Sequence, residues 1–92
     1  MRTLVTALAL VLLFAGCAPH IKGNPNRGER LHAGCVGCHG TERYDPEVRR
    51  VKSYGELVAA VHRWNDMMNP VFDAQEVADL IVFLNETYYR FE

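Results

Sequence analysis

Cys35-Val36-Gly37-Cys38-His39 sets two thiols three positions apart and puts an imidazole directly after the second. Thiols about one helical turn apart can each add across one of the two vinyl groups on a single porphyrin edge. The tether then holds the next residue against the ring face, where an imidazole nitrogen can bind iron as the proximal ligand. Gly37, between the thiols, leaves room for the ring edge to approach. This spacing is that of a c-type haem attachment site, and it commits the surrounding chain to enclosing a large flat group. Three other chemistries compete. A structural zinc site needs four ligands, and without a second Cys pair it would have to recruit His32 or His62. A thioredoxin-like redox pair needs a strand–helix–strand context, and no stretch here reads as a good strand. A plain disulfide leaves the adjacent His39 unexplained. Haem attachment accounts for all three side chains.

The segment upstream reads as an address. Met1-Arg2-Thr3 is short and positively charged, and Leu4 to Phe14 is uncharged, ending in Ala15-Gly16-Cys17. A spanning helix needs roughly 20 apolar residues, whereas the core of a secretory signal is about 7–15 long. A buried helix is the bland alternative, but no polar residue makes the run one-sided. Phe14-Ala15-Gly16-Cys17 resembles the lipobox of bacterial lipoproteins, which implies a signal peptide over 1–16 and lipidation of Cys17. Ordinary cleavage near Ala18 is the competing reading. Several acyl chains on Cys17 would anchor the protein stably to a membrane, where a single chain is marginal.

The mature chain would hold one domain. It is close to neutral, since the full sequence has formal charge −1. That balance offers no electrostatic argument for nucleic acid or an anionic membrane surface as partner. Domains this small rarely build an adequate core from side chains alone and usually need a staple; a covalent haem is one.

Residues 17–26, with two prolines, a glycine and two asparagines, read as a linker, and 27–92 as the haem domain. A first helix is expected from about Pro25, which suits a first helical position, running into the pentapeptide. Gly40 to Lys52 is polar, contains Pro46 and reads mainly as loop. Ser53-Tyr54-Gly55-Glu56 has the spacing of a capping box, followed by Leu57, Val58, Val61 and Trp64 at helical period. Asn65 to Phe72 breaks that pattern, with Pro70 as a stop. Asp73-Ala74-Gln75-Glu76 is a second capping box, and Val77, Leu80, Ile81, Leu84 and Tyr88 form the stripe of a third helix. The expected fold is all-α, about three helices around one haem.

A haem held by His39 keeps one face free. Apart from Met1, the only methionines are Met67 and Met68, in the break between the second and third helices. A thioether from that irregular segment would give the His/Met pairing that raises a haem's reduction potential. Met68, nearer Pro70, is the preferred distal ligand, with Met67 the alternative and His62 an outside candidate. Haem carboxylates need donors, and Arg43, Tyr44, Arg49, Arg50, Lys52 and Trp64 are available. Arg43 and Trp64 are the candidate contacts, Trp64 because a large aromatic beside the Met segment should be buried. Arg49 and Arg50 read equally well as a solvated face.

Taken together, these residues resemble a small monohaem class I c-type cytochrome of bacteria. Gly28, seven positions before Cys35, matches the family's glycine that packs on the last helix, with Leu31 in the place of the apolar residue after it. Ala78-Asp79-Leu80-Ile81-Val82-Phe83-Leu84 matches the closing helix, with Phe83 as the aromatic that meets Gly28. The resemblance implies a minimal cytochrome c fold with haem c as cofactor. It also implies one-electron transfer between redox partner proteins, with no substrate transformed and hence no enzyme activity. The address implies export to the periplasm or an outer-membrane face. Only positions 40–67 separate His39 from Met68, short for the family. A poorly closed sixth site would instead give a five-coordinate haem that binds small gases or reacts with peroxide. The aromatic tail suggests a third role, as an anchored haem subunit of a larger redox complex.

Overall fold

A computed structural model describes residues 20–35 and 40–92. The signal segment, Cys17, Cys38 and His39 lie outside the described residues. Among those described there are three α-helices and no strand: α1 (Pro25–Cys35), α2 (Tyr54–Met67) and α3 (Ala74–Leu84), with a 3-10 turn at Glu42–Tyr44 and a π turn at Asn85–Tyr89. The chain is all-α.

Helix α1 starts where Pro25 has no N–H to waste. The Asn24 side chain caps it, its Oδ1 accepting from Asn26 N–H at 3.0 Å and Arg27 N–H at 3.4 Å. The Asn24 backbone N–H donates to Oδ1 of Asp79, a buried carboxylate on α3, at 2.7 Å. The segment read as a linker is thus laid on the domain from His20 onward. The His20 ring stacks on Tyr54 at 3.9 Å, and Ile21 N–H donates to the Tyr54 hydroxyl at 2.7 Å.

The most extensive helix contact is between α1 and α3. At its centre a Cβ on Gly28 would lie 2.1 Å from the Asp79 carbonyl oxygen and 2.6 Å from Cβ of Phe83. Only hydrogen fits there, and the expected meeting of Gly28 and Phe83 is present. His32, four residues from Gly28 and hence on the same helix face, is buried against Phe83 and Tyr88 at ring distances of 5.2 and 5.8 Å.

Ser53 caps α2, its Oγ accepting from Glu56 N–H at 3.1 Å. The return half of the box is shifted, because the Glu56 carboxylate accepts from Lys52 N–H instead. Helix α2 also runs past the expected break, through Asn65 to Met67. Asn65 looks like an interruption only because it is polar; its side-chain amide makes three hydrogen bonds, so it can sit on the buried stripe. Asp73 and Glu76 form both halves of their capping box on α3, at 2.8 and 3.1 Å.

The core is Leu57, Val61, Val77, Leu80, Ile81, Phe83, Leu84 and Tyr89. The α3 stripe was expected to end on Tyr88. A π turn pairs residues five apart rather than four, so from Leu84 the inward position passes to Tyr89, and Tyr88 is half-buried. Arg90, in the left-handed region with φ 57°, ends the helix. The Asn85 side chain then ties down the tail, accepting from Phe91 N–H at 2.8 Å and donating to its carbonyl at 3.0 Å.

Candidate functional site

The C-terminal end of α1 faces the end of α2 and the loop that follows it. Between them lies a cavity of about 560 Å³, walled by Leu31, Gly34 and Cys35 on one side and by Trp64, Met68 and Phe72 on the other. Apart from Arg30 at its edge, the side chains around it are apolar or sulfur-bearing. A smaller cavity of about 200 Å³ shares Cys35 and Trp64 with the first and extends toward Arg43, Tyr44 and the core leucines. Cys35, the last residue of α1, thus stands between the two hollows.

Helix periodicity explains this convergence. Leu31 and Cys35 are four apart on α1, with the Cys35 thiol 3.8 Å from the Leu31 carbonyl, so both look the same way. Trp64 and Met68 are four apart at the end of α2 and look back at them. Trp64, expected to be buried, is only half-buried, and it meets Phe72 at 5.9 Å. The methionines are separated by the same geometry. Met68, the C-cap of α2, lines the larger cavity at 53% exposure, whereas Met67 is 78% exposed and lines neither. His62 is exposed on α2.

The arginines also part company. Arg43 lines the smaller cavity. The Arg49 guanidinium lies 5.1 Å over both the Tyr89 and Phe91 rings, where it pins the tail rather than a cavity. Tyr44 joins Arg43, and burial, reinforced by its neighbours Tyr89, Cys35 and Tyr88, pushes its phenol above the ordinary value. Its hydroxyl is hydrogen-bonded to His32 Nε2 at 2.9 Å. Among the described residues no group of three or more His, Cys, Asp or Glu side chains gathers to hold a metal ion.

Comparison with protein-family models, curated proteins and solved structures yields no match. The chemistry of the site therefore rests on its own residues. Two buried polar residues near it take inward positions that the helical periods read from the sequence did not include. His32 is 5% exposed and belongs to the wall of the smaller cavity; its spacing of four from Gly28 was the available signal. Asn65, also 5% exposed, continues the Leu57–Val61 spacing by one more turn. In each case a polar letter masked an inward position.

Proposed function

We propose that this chain carries one haem c, attached through Cys35 and Cys38, with His39 and Met68 as the axial ligands. It works as a one-electron carrier outside the cytoplasm, anchored by a lipidated Cys17 and exchanging electrons with redox proteins. The observation that carries this reading is the 560 Å³ apolar cavity with Cys35 on one wall and Met68 on the other. The residues present fit a porphyrin. The cavity has its attachment thiol at the edge, aromatic and aliphatic walls, and a soft thioether opposite. Arginines stand at the margins to meet carboxylates, Arg43 by the smaller hollow and Arg30 by the larger.

When bound, the haem supplies a ferric/ferrous couple whose potential a thioether ligand raises. The protein's own part is static. Leu31, Trp64 and Phe72, which line the larger cavity, would shield a bound haem from water and lower the local dielectric. Arg43, with the Trp64 indole N–H, holds carboxylates in place. In this reading the role is that of a carrier, with electrons passed on and no substrate transformed.

An absorption spectrum of the reduced and oxidised protein, extracted from membranes, tests the reading. Low-spin iron with a far-red sulfur-to-iron band and no carbon monoxide binding is expected. Met68→Ala removes that band and Met67→Ala leaves it. High-spin iron that takes up carbon monoxide readily would refute the carrier role in favour of a ligand-binding haem. A mature N-terminal mass without acyl chains would refute the anchor alone.

A further inference from the structure

The loop bearing Met68 is short, irregular and largely exposed, yet its shape is set by one buried side chain. The Asn65 Oδ1 accepts from Val71 N–H at 3.1 Å and Phe72 N–H at 2.9 Å, and its Nδ2 donates to the Phe72 carbonyl at 3.0 Å. Its backbone carbonyl accepts from Met68 N–H at 3.0 Å. The Asn65 side chain thus holds the loop at the two residues that complete its reversal, while its backbone carbonyl, as any residue's would, takes the one that precedes it. The reversal occurs at Asn69, with φ 91°, a conformation Asn tolerates better than most residues. Three of the side chains held this way, those of Met68, Val71 and Phe72, make up much of the cavity wall facing Cys35.

We propose that Asn65 is a positioning residue that holds Met68 toward the cavity and so keeps the sixth haem position closed; this rests on the haem-carrier reading above. The inference answers a weakness of so short a chain. With only positions 40–67 between the two axial ligands, no extra helix braces the Met loop, and the three side-chain bonds of Asn65 take over that duty. A polar clamp suits the task because its bonds are directional, whereas apolar contacts alone would let the loop slide.

The test is the rate at which imidazole binds the ferric holoprotein, which is limited by loop opening when Met68 is bound, together with amide exchange at Val71 and Phe72. Asn65→Ala is expected to keep its covalent haem, to bind imidazole about tenfold faster or more, and to lose protection at both amides. Val77→Ala, a core variant that leaves the Asn65 hydrogen bonds in place, is expected to lower thermal stability without that acceleration. A rate in Asn65→Ala within about twofold of wild type, or an equal acceleration in Val77→Ala, overturns the proposal. If wild type binds imidazole as fast as Met68→Ala, Met68 ligation itself fails and takes the proposal with it. Should Asn65→Ala not accumulate, Asn65→Asp decides. It keeps the acceptor, loses the donation to Phe72 and sets a carboxylate oxygen against that carbonyl, so an acceleration over wild type supports the clamp and an unchanged rate overturns it.

Discussion

Replacing Gly28 by alanine should destabilise the protein although alanine is the better helix former. Inside a helix Gly→Ala normally gains up to about 1 kcal/mol. Here the new methyl would sit 2.1 Å from the Asp79 carbonyl oxygen and 2.6 Å from Cβ of Phe83. Neither atom can turn aside, since one is backbone and the other is the root of a buried side chain. Relief requires α1 and α3 to separate by about 1 Å, which loosens dispersion contacts along the largest helix interface. Overpacking of this kind costs about 1–3 kcal/mol and sometimes more. With rigid obstacles we take the upper end, about 3 kcal/mol, leaving a net loss of about 2 kcal/mol. For a domain of this size that lowers Tm by roughly 8–16 °C. Gly55→Ala is the matched control, because its Cβ meets no described atom within 4 Å, and it should be neutral or stabilising by about 0.4–1 kcal/mol. Thermal melts followed by circular dichroism at 222 nm compare the two. A Gly28→Ala protein as stable as wild type would refute the close approach of α1 and α3.

Three further outcomes follow from buried polar groups. The Asp79 carboxyl is held below its ordinary value, first by the Asn24 N–H, then by the Gln75 amide and the charge of Arg27, against the opposing effect of burial. A depressed folded value stabilises above the unfolded carboxylate pKa of about 3.9 and fades as pH falls through the lower folded one. Asp79→Asn should therefore be less stable at neutral pH and flatten the loss of stability in acid, as read from urea midpoints against pH. Asn85→Ala removes both bonds to Phe91, at about 1 kcal/mol each, and should expose the last residues to carboxypeptidase; an equally resistant tail would disprove the lock. His32→Phe and Tyr44→Phe, singly and combined, should show a coupling of about 1 kcal/mol in a double-mutant cycle, whereas additive losses would mean the 2.9 Å contact contributes nothing.

The features legible in the sequence are those fixed by local spacing. The pentapeptide, Pro25 at the head of α1, the Ser53 and Asp73 caps and the apolar period of α2 and α3 each depend on residues within about a turn of one another. They are enough to establish three helices and an all-α chain. The resemblance that pairs Gly28 with Phe83 reached further, and that contact is present. What the sequence did not disclose is where polar side chains go. Asn65 reads as a break and His32 only as a possible zinc ligand until their partners beyond the helix appear: Phe72 for one, Tyr44 and Phe83 for the other.

By itself, then, the sequence determined the helices and the order in which they come, because spacing along a helix decides which side chains share a face. Only the tertiary structure decided which methionine lines the cavity, which face of α1 meets α3, and that Tyr89 rather than Tyr88 closes the core. Those outcomes turn on shifts of one residue around a helix. Such a shift is set by how closely Gly28 lets α1 approach α3, by where Asn65 ties the loop and by the one-residue slip of the π turn.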